Sequence, residues 1–576
     1  MKKTFYFIVA IFFAIFVAGY YYAVFPAINP HETSFWGGAF IIFLILVIVS
    51  TVRTIKKDFK NKKPVHIKEI RFLPGISKFF LGLAALMVVI MIGGMVVGFT
   101  LFNAKRYASL LKVEEYDFSE DMQESTQVTD IALMDTESAR KFGNRKIGSL
   151  SDVVSQYEVE TDYTQISIRK KPMKVSSLKY ASFFKWLNNR KSGIPGYVKV
   201  NPVNSEAEYV PLKQGMRYVP SAYFNDNLQR HVQLSYPTKL ISGYHFEIDD
   251  EGMPFYICPT MTARVGLFDG MDVDGVIVCN PIDGACKFYK KNEIPSWVDC
   301  VYSGSLSTKK YDWYGTLSDG FWNSVIGQKG CKVTTDDYGY KIIEDDVWIY
   351  TGVTSVTGDQ SNIGFILINQ RTSEAKYYKV SGAEEHSAME SAQGAVQEKG
   401  YKASFPSLIN VGGKPTYIMV LKDAAGLVKM YAMVNVEQYN IVATATSQSE
   451  VFSKYRKMLL SSGSKDSEGE ETLKTEQIRV EEVRFVDTED GTVVYVKDTE
   501  HQVYKQAFKE NEELILISEG DTLEVTYEPM ENGIHLLTGF QIIESVEKDL
   551  VRDDTSQGIN LSPDMDDEDF YSERQK

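Results

Sequence analysis

The chain has 576 residues, three to five times the roughly 100–200 of a single domain, so several folding units are expected. Hydrophobic, charged and aromatic residues make up 44%, 24% and 12%, which excludes a wholly disordered or fibrous chain. Residues 1–102 hold eleven Lys and Arg against three acidic residues, a net of +8; the total of −14 therefore leaves −22 on the other 474, the wrong sign for a nucleic-acid partner.

Residues 4–26 contain no charge and are long enough for a hydrocarbon core of ~30 Å, which takes about 20 apolar residues. Residues 35–52 and 79–102 repeat the pattern, so 1–102 is predicted to be a three-helix transmembrane region with the lipid bilayer as its partner. Lys2 and Lys3 also suit a cleaved signal peptide, but the apolar run exceeds the usual 7–15 residues and Tyr20–Tyr22 make a poor cleavage site. Orientation follows from loop charge: 27–34 has no Lys or Arg and 53–78 has nine. The N-terminus and the 53–78 loop are thus expected in the cytoplasm, and 103–576 outside it. Gly94 and Gly98 form a G-x-x-x-G, which suits close approach of a partner helix from another membrane or envelope protein.

Residues 103–195 read as a helix-rich connecting segment, and 196–460 as a repeated α+β ectodomain. One strand-turn-strand pattern recurs as YVKVNPVNSEAEYV around Asn201, VIVCNPIDGACKFY around Asn280 and FILINQRTSEAKYY around Asn369. Each apolar run ends in Asn; Ser205, Gly284 or Ser373 follows four residues on, Ala207, Cys286 or Ala375 at six, and Tyr209, Phe288 or Tyr377 at eight. Turn formers between alternating apolar residues predict hairpins. A degraded fourth copy surrounds Asn435. Helical patterns precede two of the strand groups, at 221–232 and 386–400. The unit of a helix, a G-x-P-x-Y turn (Gly252–Tyr256, Gly413–Tyr417) and a hairpin closing after Asn resembles the PepSY domain, chiefly over 384–445 and, with insertions, over 221–290. Asn435 stands where that family more often has Asp, and Tyr439 where it has Gly. The resemblance implies an extracytoplasmic binding or inhibitory module beside membrane spans, and it transfers no catalytic residue.

Residues 461–476, rich in Ser, Gly and Glu, read as a flexible linker. Five short strand signals with Asp-Gly and Asn-Gly turns follow over 477–546, predicting a small β-barrel of the OB or SH3-like kind. Residues 547–576 read as an acidic disordered tail, with seven acidic residues and no basic one between 553 and 569.

Catalytic motifs are missing: there is no H-E-x-x-H, G-x-S-x-G, P-loop or dinucleotide fingerprint, and neither a cofactor nor a metal is implied. Cys258, Cys279, Cys286, Cys300 and Cys331 contain no C-x-x-C, so zinc is disfavoured; outside the cytoplasm up to two disulfides are allowed, with the pairing open and strand alternation expected to set Cys279 and Cys286 on opposite faces. Cys331 lacks a neighbouring histidine in sequence to serve as its base. Trp313, Tyr314, Phe321 and Trp322 suit either a binding groove or a core. The leading expectation is a non-catalytic binding or scaffold protein of the cell envelope. The alternatives are an enzyme acting on envelope polymers through acidic turn residues such as Asp249 and Asp346, and an accessory subunit of a transport or secretion complex.

Overall fold

The computed structural model describes residues 2–60, 75–125, 131–356, 361–461, 474–488, 491–528 and 533–545. They form two compact units, Met1–Gly463 and Ser464–Lys576. Most of the 461–476 linker and all of the 547–576 tail lie outside the described residues.

Three apolar helices begin the chain: α1 (Lys2–Val24), α2 (Thr33–Lys60) and α3 (Gly75–Gly98). Within them, Thr33–Ile55 and Gly75–Gly98 are long and apolar enough to cross a membrane, while α1 contributes the shorter apolar stretch Ala14–Val24. Helix α3 stops four residues before the predicted end of its span. Phe99 is extended (φ −61°, ψ 139°), and α4 (Thr100–Ala108) begins beyond that break. The carbonyls exposed at the break are satisfied locally: the Asn103 side-chain amide donates to Val97 O (2.6 Å) and Phe99 O (3.2 Å), and the Tyr107 hydroxyl donates to Gly98 O (2.8 Å).

Four helix-plus-sheet modules follow. In chain order their helices are Thr136–Gly148, Leu228–Ser235, Gly304–Leu317 and Glu385–Gly394. Each is followed by a five-stranded antiparallel set over 157–216, 240–290, 332–378 and 402–445. In every sheet the third strand pairs with the first, the second and the fourth, and the fourth pairs with the fifth. The third sheet gains an outer strand, Val113–Tyr116, parallel to its last. Modules one and two share one core, in which Leu178 and Tyr197 meet Tyr256, Cys258 and Ile277. Modules three and four share another, in which Trp348 and Phe365 meet Tyr417 and Met419.

Residues 103–195 differ from their expectation as a helix-rich connection, because three strands of the first module, Tyr157–Val159, Thr164–Ile168 and Lys171–Tyr180, lie there. Buried Gln165, Ser167, Lys174, Ser176 and Ser177 break the apolar alternation by which a strand is read. The helix expected over 221–232 begins only at Leu228, capped by the Asn227 side chain.

The Asn hairpins occupy the same place in all four sheets, joining the fourth strand to the fifth. At Asn201, Asn280 and Asn369 the side-chain oxygen accepts from the backbone N–H two residues on (2.9, 2.9 and 2.8 Å). The residue four positions on is left-handed: Ser205 (φ 63°), Gly284 (φ 81°) and Ser373 (φ 63°). This is an Asx turn followed by an αL residue, which explains the spacing. In the Asn435 loop the side chain accepts instead from the N–H three residues on (2.8 Å), and the closing bond reaches Ile441 rather than the fifth residue. One extra residue distinguishes that copy.

The pattern also extends backwards. Gly196, Gly275 and Gly364, each five residues before its Asn, lie beneath the rings of Tyr209, Phe288 and Tyr377, which a Cβ would strike at 2.5–2.7 Å. The aromatic ring covers the backbone that a glycine leaves bare. At Asn435 the corresponding residue is Met430, and no aromatic follows at eight.

The second unit is a closed five-stranded barrel of Lys474–Thr488, Gly491–Asp498, Val503–Ala507, Thr522–Glu528 and Ile534–Glu544. Around the closure the order is first, second, third, fifth, fourth, and the third and fifth strands run parallel. Ile478, Val494, Tyr504, Leu523 and Val525 fill it.

Candidate functional site

A cavity of about 530 Å³ opens where the first, second and third modules meet. That volume suits a small ligand or a segment of a larger one. From the first module it receives Glu160, Asp162 and Tyr163, on the loop between the first and second strands, and Ser177 on the third strand. The second contributes Tyr244, His245, Phe246 and Tyr256, and the third Tyr338, Tyr340 and Gln370. Phe246 and Tyr256 face each other across neighbouring strands, with ring centroids 5.5 Å apart, and Tyr163, Tyr244 and Tyr338 come from the loops beside the strands.

The lining is aromatic and acidic, and among its described residues is neither lysine nor arginine; the buried Lys174 ammonium stands behind it, donating to Thr136 Oγ1 (3.3 Å) and 5.7 Å from the Tyr340 ring centre. Burial pushes the Glu160 carboxyl up from its ordinary value, and burial pushes the His245 imidazole down against the pull of Asp162. The Tyr163 and Tyr244 phenols are also held up by burial. Ser177 and Tyr256 share a 2.8 Å hydroxyl contact, whereas the Tyr163 hydroxyl is buried against Gly143 of the first module's helix, with no hydrogen-bond partner among the described residues. Such a surface favours neutral, hydroxyl-rich or cationic groups and disfavours phosphate, for which the lining side chains themselves offer no cation.

Beside the cavity, the 299–302 loop ties the three modules together. Glu247 accepts from the Asp299 and Cys300 N–H groups (3.0 and 2.8 Å), Asp299 accepts from Ser167 N–H (2.7 Å), and Gln370 donates to Tyr302 O (3.0 Å). Burial raises Glu247 to about 7 and pushes Asp299 up as well.

The four aromatic residues read from the sequence do not share one groove. Trp313 packs on Tyr107 of α4 (ring centroids 5.0 Å apart), and Phe321 lies 6.2 Å from Phe99 at the end of α3. Tyr314 joins the separate cluster around Tyr311, and Trp322 is 66% exposed. The acidic turn residues are structurally engaged: the Asp249 side chain accepts from the N–H groups of Glu251 and Met253 (3.1 and 2.8 Å), and Asp346 holds Arg371 through two 2.7 Å bonds. Gly94 and Gly98 face this chain's own second module. A Cβ at Gly94 would meet Phe268 at 2.7 Å, and one at Gly98 would overlap Asp269. The tip that fills this notch turns at Gly266 (φ 60°), whose own Cβ position is 2.6 Å from the Gly98 Cα, so glycine is needed on both sides.

Cys258, Cys279, Cys300 and Cys331 are buried, Cys286 is partly exposed, and all five are thiols. The expectation for Cys279 and Cys286 is corrected: they are directly opposite each other in the second module's hairpin, hence on one face, with sulfurs 2.8 Å apart. The seven-residue spacing crosses the turn and so does not follow the alternation of one strand. His231, on the preceding helix, joins them; its Nε2 donates to Gly284 O at 2.7 Å, and its ring lies against that of Tyr218, tilted by 40° with centroids 4.2 Å apart. The imidazole and both sulfurs lie within 4.8 Å of one another. The contact with Cys279, followed by that with His231, lowers Cys286 to about 6, while the contact with Cys286 pushes Cys279 up and raises His231. Sequence spacing alone did not reveal the histidine, which precedes the pair by 48 residues. Cys331 is pushed up by burial, against a nucleophilic role.

No family model matches the chain, and no curated protein matches it. Among solved structures, a mutant GH32 beta-fructofuranosidase from Bombyx mori in complex with sucrose aligns with 70% of this chain and 93% of its own. The identity is 8% and the TM-score 0.17, which is too low to support any statement about fold or activity.

Proposed function

We propose that the chain is a three-span membrane protein whose residues 103–576 lie outside the cytoplasm and act there as a non-catalytic binding or scaffold protein of the cell envelope. The observation that carries the binding role is the three-module cavity, with its converging tyrosines and buried carboxyl. The orientation is supported by contacts of the short α1–α2 loop with the second module. Ile28 N–H donates to Pro237 O (2.7 Å), the Asn29 side chain to Thr238 O (2.8 Å), and His31 Nδ1 lies 2.8 Å from Leu267 O. That loop and the end of α3 therefore share a side, opposite the basic 53–78 loop. The common strand order and the Asn hairpins support four copies of one PepSY-like unit. The barrel's closure and strand order support an OB-like reading.

Two experiments test this. In a cysteine-free background, a membrane-impermeant maleimide is expected to label Met253→Cys on intact cells and to spare Lys62→Cys; the reverse pattern overturns the orientation. For the cavity, purified full-length protein is heated with chitotetraose, a short basic peptide or pyrophosphate. A rise in Tm with either of the first two, lost in Gln165→Trp, is expected. A rise only with pyrophosphate, no rise, or a rise that survives the filled cavity overturns the assignment.

A further inference from the structure

We propose that Cys279 and Cys286 form a disulfide across the second module's Asn hairpin, and that Cys286, beside His231, is the sulfur through which external thiols and disulfides exchange with it. The proposal rests on the extracytoplasmic placement above, since that side permits oxidation.

Three observations carry it. The first is register. The facing pair just before and after the turn is Val200 with Ala207 in the first module, Cys279 with Cys286 in the second, and Ile368 with Ala375 in the third. Two sister hairpins fold with aliphatic residues there, so packing does not call for two sulfurs at those positions. The second is asymmetry of access: Cys279 is buried and Cys286 partly open, an arrangement in which one sulfur meets the solvent couple and the other resolves. The third is the geometry of His231 and the two sulfurs, which argues for sulfur chemistry over a metal. The His231 Nε2 donates to Gly284 O, which holds the ring in place beside the pair, and the choice against a metal rests on the sulfur–sulfur distance. Two thiolates on one zinc would stand about 3.8 Å apart, from Zn–S bonds of ~2.3 Å in a tetrahedron, against 2.8 Å here. Cys258 lies on the same face, diagonal to Cys279, but it is wholly buried behind it.

The exchange balances with an external disulfide, R–S–S–R. The Cys286 thiolate, its proton taken up by His231, attacks one sulfur of the couple, forming a mixed disulfide and releasing RS⁻. Cys279 then attacks Cys286 Sγ, closing the intramolecular bond and expelling the second RS⁻. The two protons lost by the cysteines end on two RSH, and two electrons pass from the cysteines to the couple.

The test uses full-length protein in detergent equilibrated with glutathione redox buffers. Peptide mapping is expected to find Cys279 linked to Cys286 under oxidising conditions, and the linked fraction to follow a two-electron couple. The pH profile of reduced-protein alkylation is expected to inflect near 6 at Cys286 and to move up by at least one unit in His231→Gln. Cys279→Val with Cys286→Ala, copying the first module, is expected to fold and to show no exchange. Linkage of a different cysteine pair overturns the proposal. So do two freely reactive thiols throughout the redox range, one bound zinc per chain, or a pH profile unmoved in the histidine variant.

Discussion

Glu385 shows how one buried group makes stability depend on pH. It opens the fourth module's helix, and its carboxyl accepts from Gly352 N–H (2.6 Å) and the Thr335 hydroxyl (3.1 Å). Burial outweighs those bonds and raises it from 4.5 to about 7. A carboxyl whose folded value exceeds its unfolded one favours the protonated native state. Its contribution is therefore complete below about pH 4.5 and is lost as pH rises through about 7. Glu385→Gln keeps an acceptor for Gly352 and cannot ionise. The variant is expected to exceed the parent by about 1–3 kcal/mol at pH 8 and to match it at pH 4, in denaturant titrations across that range. Equal pH dependence in the two proteins would show that the carboxyl is not the titrating group. Glu247, also raised to about 7, titrates in the same window, so some pH slope persists in the variant.

At the scale of the hairpin, the left-handed residue sets the energetics. A side chain there costs about 1 kcal/mol relative to glycine, so Ser205→Gly is expected to raise stability by about that amount. Ser373→Gly is expected to gain less, because its hydroxyl accepts from the buried Lys310 ammonium (3.0 Å). Gly284→Ala is expected to cost more than 1 kcal/mol, since its Cβ would stand 2.6 Å from the Tyr218 ring and 3.0 Å from His231. Thermal unfolding of the three variants checks the order. These hairpins were legible in the sequence because the turn demands particular side chains at fixed offsets. Glycine at five residues before the Asn was present in the same lines but gains its meaning only from the ring that crosses from the partner strand. The first module's strands were not legible, because Lys174 and its polar neighbours are buried by tertiary packing that local periodicity does not encode. The cavity was hidden for a related reason: its residues come from three modules, and no single stretch carries more than a few of them.

Across the first unit, the modules are joined in pairs by shared cores, and the second module also holds the apolar helix α3. The sequence spoke plainly about the apolar helices, because a bilayer demands long uncharged runs. It suggested that the glycines of α3 await a foreign helix, when the chain fills that notch itself. Grip and tether are thus separate. A protease site engineered at 109–112 would sever the only peptide link between α3 and the modules, yet the hairpin tip would stay seated against Gly94 and Gly98, and the 28–31 loop would stay bound to residues 237–267. After cleavage, the modules are expected to sediment with the membranes through washes at high salt and to be released by detergent. Release by salt alone would mean that the severed strand had been the sole attachment.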